Sequence, residues 1–341
     1  MTNILEVVRR DYDGLVRVVE HPDPDADLYI LNYTVRCQYE AEWDWITRQC
    51  RGLIVDGEGN VVARPFRKFF NLGEAMETMP SRLPLLPFTA TEKIDGSLGI
   101  LYRLHGEPRV ATRGSFDSPQ AEFGTWALNR LDLSTVPETC TLLFEIVCNY
   151  NLSVVQYDYE GLVLLAAFDY VTGQEYTDIA GLADALGART ARVYTYHSVD
   201  EAVHDVEAWD TRGPEGLVLR FANGLRVKLK SPTYREAHTL VWSLSDRHVL
   251  ELLRSGEYST VTRLLPRWAR RKANEIAERM RERALVLMDE TNALFDQAPK
   301  ATRKEFALWV QSHAPAHLHP ALYRRFDGRP VNWYEVLQKG T

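Results

Sequence analysis

The chain has 341 residues, 45% of them hydrophobic and 26% charged, with a net charge of −7. That length suits about two domains at roughly 100–200 residues each, and the composition is that of a soluble globular protein. No run reaches the roughly 18 apolar residues of a membrane span, and the opening MTNILEVVRRDYDG carries charges inside its apolar stretch, so neither a membrane role nor a signal peptide is expected. In chain order, short runs rich in Val, Ile, Leu and Tyr predict strands at 28–35, 52–55, 61–66 and 98–104. A helix is expected at 119–131 with Phe123, Trp126, Ala127 and Leu131 on one face. Strands follow at 141–147 and 162–170, a helix at 178–186, and strands at 215–221 and 225–230. Asp56-Gly57 with Gly59-Asn60, and Asn223-Gly224, mark two hairpins, the second with a tight turn that needs residues tolerant of φ > 0.

Past residue 239 the period changes. Ile276, Ala277, Met280, Ala284, Leu287, Met288, Leu294 and Phe295 recur at three- and four-residue spacing. This predicts an amphipathic helix from near Pro266 to just before Pro299, and Phe306, Trp309 and Val310 predict another. Two domains are therefore expected, 1–238 with mixed strands and helices, and 239–341 all helical. The charge divides with them. Residues 1–239 hold 23 Lys+Arg against 35 Asp+Glu, and residues 240–341 hold 17 against 12. A basic appendage on an acidic body suits a polyanion, and equally suits a solvated helix surface. Cys37, Cys50, Cys140 and Cys148 form no C-x-x-C pair, and are expected to be reduced thiols of a cytoplasmic protein.

The chemistry concentrates in a few segments. Glu92-Lys93-Ile94-Asp95-Gly96-Ser97 places a lysine in a turn between strands. A lysine attacks phosphorus only when neutral, which requires crowding by positive charge or desolvation. Glu145 and Glu215 each interrupt an apolar strand, where a carboxylate must face solvent or meet a cation. Lys228 and Lys230 share one strand face, and would repel each other without an anion between them.

In this order the residues resemble the covalent nucleotidyltransferases, which comprise ATP-dependent DNA and RNA ligases and mRNA capping enzymes. Lys93-x-Asp95-Gly96 matches their motif I, Phe144-Glu145 motif III, Phe168-Asp169 motif IIIa, Glu215-Gly216 motif IV and Lys228-Leu229-Lys230 motif V. Cys50-Arg51-Gly52, the segment Arg67 to Glu74 (RKFFNLGE), Thr112-Arg113-Gly114-Ser115 and Tyr234 narrow the likeness to the bacteriophage RNA ligase 1 group. Arg113 stands where a lysine is common in that group.

The resemblance implies an α+β fold, a nucleotidyltransferase (ATP-grasp-like) domain of antiparallel sheets with flanking helices, followed by a smaller all-α domain in place of an OB domain. It implies ATP with Mg²⁺, or Mn²⁺ instead, and RNA with 5′-phosphate and 3′-hydroxyl ends, a nicked tRNA among the candidates for RNA repair. Lys93 would carry AMP. Lys228 and Lys230 would hold the α-phosphate, and Arg51 and Lys68 the β- and γ-phosphates, with Arg113 also at the nucleotide. Phe168 and Val218 would sandwich the adenine and Glu92 would read its amino group. Glu145 would hold the ribose and, with Asp95 and Glu215, the water shell of the metal. Three other readings stay open at this point. They are a DNA ligase or capping-type enzyme, an enzyme that adenylylates a protein or small molecule, and a non-catalytic nucleic-acid-binding relic of the fold.

Overall fold

β-branched and aromatic residues between turn formers build the first two thirds of the chain into three sheets. The computed structural model describes residues 3–151, 153–210 and 213–339. In chain order the strands are β1 Val16–Glu20, β2 Leu28–Tyr33, β3 Arg51–Asp56, β4 Val61–Ala63, β5 Phe70–Asn71, β6 Phe88–Glu92 and β7 Ser97–Leu104. They continue as β8 Glu107–Thr112, β9 Cys140–Val147, β10 Gly161–Asp169, β11 Arg189–Thr190, β12 Val193–Tyr194, β13 Gly216–Phe221 and β14 Arg226–Lys230. The sheet orders are β1-β2-β3-β4, β11-β10-β9-β7-β8 and β12-β6-β13-β14-β5. Pairing is antiparallel except at two short edges, β10 with β11 and β14 with β5.

Alternation along β9 decides what each face of the central sheet does. Leu142, Phe144 and Ile146 point into a core closed by the helices Pro119–Leu128 and Ile179–Leu186. Leu143 points the other way, into a core shared with Ile30 and Ile54 of the first sheet. Glu145 falls on that second face by period two. The third sheet has the same division. Ala90, Leu217, Leu219, Val227 and Leu229 pack against Ala202 and Val206 of the helix Val199–Glu207. Val218, Lys228 and Lys230 therefore occupy its opposite face.

Several expected elements shift for local reasons. The first predicted strand stops at Tyr33, because the Thr34 side chain caps the helix Val35–Tyr39. The strand expected at 61–66 stops at Ala63. Pro65 has no N–H for a ladder, and the Arg64 N–H donates instead to Thr141 Oγ1 at 3.0 Å. The helix expected at 119–131 ends at Leu128, and its buried side is Ala121, Gly124, Ala127 and Leu128. Trp126, expected inside, is 51% exposed. Small residues face inward because the helix lies hard against β8, where a Cβ on Gly124 would come within 2.8 Å of Val110. The Asn223-Gly224 hairpin closes through three residues, since Phe221 N–H donates to Leu225 O. Only Gly224 has positive φ, +86°, so this is the longer loop that ends on one left-handed residue.

The chain divides into two compact units, Met1–Tyr234 and Arg235–Thr341, the division falling inside the helix Pro232–Ser243. The described residues of the second unit form helices and no strands. Its longest helix, Arg267–Gln297, begins directly after Pro266 and buries Ala269, Ala273, Ile276, Ala277, Met280 and Ala284 on one stripe. The helix Arg303–His313 buries Phe306 and Val310 against Leu318 and Leu322. No helix among the described residues is long and apolar enough to cross a membrane.

Candidate active site

The loop 93–96 joins β6 of the third sheet to β7 of the central sheet, and three backbone bonds fix it. The Lys93 N–H donates to Gly216 O at 2.8 Å, the Asp95 N–H to Tyr157 Oη at 2.8 Å, and the Gly96 N–H to Glu145 Oε1 at 3.1 Å. A Cβ at position 96 would collide with the Ile146 carbonyl oxygen, so this approach to β9 requires glycine.

Glu215, 2% exposed, is the centre of the site. Its Oε2 accepts from Lys93 Nζ at 2.6 Å and its Oε1 pairs with Lys230 Nζ at 2.8 Å. A buried carboxylate requires such partners. Burial pushes its pKa up, but Lys93 and Lys230 outweigh this and hold it below the usual range. The protein's own side chains do not drive the pKa of Lys93 down. Burial alone would lower it, yet Glu215, Glu145 and Asp95 together raise it, so Lys93 stands as a charged ammonium.

The crowding falls on Lys228 instead. Its Nζ donates to Phe69 O at 3.0 Å and lies 4.4 Å from that ring. Burial, then Arg51, Lys93, Lys68 and Lys230, bring its pKa down to about 6. Arg51 is also deeply set. Its Nη1 is buried without a hydrogen-bond partner, and burial lowers its pKa. A buried guanidinium with an unbonded donor beside a crowded lysine suits an anion.

Lys68 is enclosed by rings, with Nζ 4.7 Å from Trp43, 4.9 Å from Phe70 and 5.6 Å from Tyr33. Arg113 donates to Tyr33 Oη at 3.1 Å. Glu145 has its pKa raised to about 7 by burial, against the pull of Lys93 and Arg51. A bound cation would relieve that cost. Both Asp95 oxygens already accept protein donors, Oδ2 from the Val154 and Val155 N–H groups and Oδ1 from Tyr234 Oη at 3.1 Å. No three carboxylate, His or Cys side chains among the described residues form a metal cage. A Mg²⁺ here would keep most of its water and be held through it.

The structure thus brings together Lys93, Asp95, Glu145, Glu215, Lys228, Lys230 and Arg51, with Lys68 and Arg113 joined through Tyr33. Val218 is paired with Lys228 in register and shares its face. Two predicted residues lie at the margin of this group. Glu92 is paired with Leu217 and so lies on the opposite face of the third sheet, where burial raises its pKa and Arg192 opposes the rise. Phe168 packs edge-on against Phe66 at 5.8 Å, in a cavity that Lys68 and Arg226 also line. Tyr157, Tyr33 and Trp43 escaped the sequence reading, because each acts through a contact between segments that no local spacing signals.

A model of the family described as "RNA ligase" matches residues 49–234, more than half of the chain. A candidate RNA ligase of Thermovibrio ammonificans is 28% identical over 280 residues, which cover 76% of this chain and 70% of the relative. RNA ligase 1 of Bacteriophage TS2126 is 33% identical over 133 residues, 35% of this chain and 34% of that protein. Among solved structures, an archaeal ATP-dependent RNA ligase matches with a TM-score of 0.51 at 16% identity, over 84% of this chain and 79% of that chain.

Proposed function

This chain belongs to the RNA ligase family, and from that premise we propose that it is an ATP-dependent RNA ligase that seals a 5′-phosphate end to a 3′-hydroxyl end. The observation that carries the reading is the Lys93–Glu215–Lys230 chain set beside Arg51 and Lys228, two buried basic side chains that form no salt bridge among the described residues. In the first step Lys93 Nζ, having lost its proton, attacks the α-phosphorus of ATP. A P–N bond forms as the P–O bond to pyrophosphate breaks. Glu215, 2.6 Å from Nζ, is the nearest base. AMP then passes to the RNA 5′-phosphate, and the 3′-hydroxyl oxygen displaces it. Each displacement at phosphorus depends chiefly on positioning and charge neutralisation.

Lys228, Lys230 and Arg51 hold phosphate oxygens, with Lys68 and Arg113 further along the phosphate chain. Glu145, whose carboxylate burial makes costly, would hold the waters of a bound Mg²⁺ or Mn²⁺, which would supply charge neutralisation at phosphate. Asp95 serves first to tie the loop 154–157 and Tyr234 to the nucleophile. The helical unit, basic in sequence, binds the RNA, and a nicked tRNA is a substrate to try. The four unpaired, buried thiols suit a reducing cytoplasm.

The test is end joining. Full-length protein, ATP and Mg²⁺ should convert 5′-phosphorylated single-stranded RNA into circles or joined strands, and Lys93→Ala should not. Joining that persists in the variant, or that occurs with DNA alone, rejects the reading.

A further inference from the structure

Beyond Phe69 lies a second concentration of positive charge, of which the ligation steps above use Lys68 alone. Phe69 is a shared wall. Its carbonyl and ring face Lys228 and its ring lies 5.6 Å from Arg51, while it also lines a cavity of about 440 Å³. Arg48, Arg64, Arg67, Lys68 and Arg226 line that cavity, with Glu77 and Glu175 as its acids. Those two are already taken. Glu77 pairs with Arg48 at 2.6 Å, and Glu175 pairs with Arg220 and Arg226.

Lys68 pairs with Glu74 at 3.8 Å, which leaves Arg64 and Arg67. Neither forms a salt bridge among the described residues. Arg64 Nε and Nη2 donate to the uncharged Tyr170 carbonyl at 3.2 and 3.1 Å. Arg67 lies 4.0 Å over the Trp45 ring and is open to solvent on one side. Burial and then Arg67 oppose the charge on half-buried Arg64, and Asp169 offsets them only in part. Like charges held together in a cavity whose carboxylates are already paired with other arginines are stabilised by an anion.

The position indicates which anion. Lys230, Lys228 and Arg226 share one face of β14, and each two-residue step advances about 7 Å. Lys230 is tied to Glu215 and hence to Lys93. The cavity is therefore one step past Lys228, on the side away from the nucleophile. A phosphate group there has left the α-phosphate position and remains on the same line of cations.

We propose that the Arg64–Arg67 cavity is an exit site for pyrophosphate, which receives the leaving group after it parts from Lys228 and Arg51. The proposal rests on the ligase reading given above. The same site serves the reverse reaction, in which pyrophosphate attacks lysyl-AMP, breaks the P–N bond and returns ATP with the proton restored to Lys93.

The reverse reaction is the test. Lysyl-AMP protein is mixed with pyrophosphate and Mg²⁺, and ATP release is followed. Arg67→Ala, whose side chain forms no hydrogen bond with a described residue, should raise the KM for pyrophosphate about tenfold. Arg67→Lys should restore most of it, and Arg64→Lys should raise it again, because a lysine cannot reproduce the fork. Sealing of RNA that already carries a 5′-adenylate involves no pyrophosphate and should be unchanged in all three. An unchanged KM for pyrophosphate overturns the proposal. So does a rise confined to the KM for RNA 5′-phosphate, which would give the cavity to the RNA end. Failure of the wild-type protein to form lysyl-AMP would instead reject the ligase reading itself.

Discussion

Lys228 should gain a proton when a phosphate binds beside it. Burial and four neighbouring cations bring its pKa down to about 6, so it is mostly neutral at pH 8. An anion against Nζ favours the charged form and carries the pKa well above 8. Between pH 8 and pH 6, binding then costs one proton uptake that becomes easier as pH falls. With an unliganded pKa of about 6, affinity should rise about 50-fold over that interval, ~2.3 kcal/mol, and flatten below it. Calorimetry of Mg-ATP binding in buffers of different ionisation enthalpy measures both the affinity and the proton count. The Lys228→Arg variant is the control, because arginine stays charged at every pH in the range. Its profile should lose the 50-fold slope. Identical profiles for wild type and Lys228→Arg would refute the assignment of the discharged cation to Lys228.

Three further outcomes follow from the same geometry. Asp95→Ala leaves the donors from Val154, Val155 and Tyr234 without their acceptor. Urea denaturation in metal-free buffer should show a loss of about 3 kcal/mol, whereas unchanged stability with altered metal dependence would make Asp95 a metal residue instead. Gly96→Ala forces the loop away from Ile146 O and should slow lysyl-AMP formation about 100-fold with the fold retained. A rate within threefold of wild type in a quenched-flow assay would contradict the close approach. Glu215→Gln removes the largest influence raising the pKa of Lys93. The rate of lysyl-AMP formation needs neutral Lys93, so its rise with pH should move to lower pH, and a profile that stays in place would exclude the Lys93–Glu215 pair as its cause.

The strands were readable where apolar runs end at turn formers, as at Leu28, Arg51 and Gly216. The long helix was readable from a stripe repeated over several turns and bounded by Pro266 and Pro299. The local errors share a cause, in that a partner distant in sequence overrode a local pattern. Trp126 fitted an apolar helical face by spacing, but only small residues fit against β8. Ordered motifs singled out Lys93, Glu145, Glu215, Lys228 and Lys230, but strand alternation accounts only for the shared face of Lys228 and Lys230, and the fold brings in the others from a loop, a second sheet and the residue before β13. The same alternation sends Glu92 to the opposite face, a consequence of its pairing with Leu217 that the segment around it does not disclose. The charge state of Lys93 was also out of reach. It depends on which carboxylate reaches Nζ, and Glu215 lies 122 residues away.

The covalent intermediate is the most direct test of the account. Intact mass of the protein after incubation with ATP and Mg²⁺, beside Lys93→Ala, reads it in one step. The account predicts a gain of one AMP in the wild type and none in the variant. A gain that survives in Lys93→Ala, or no gain in the wild type with ATP, would contradict it.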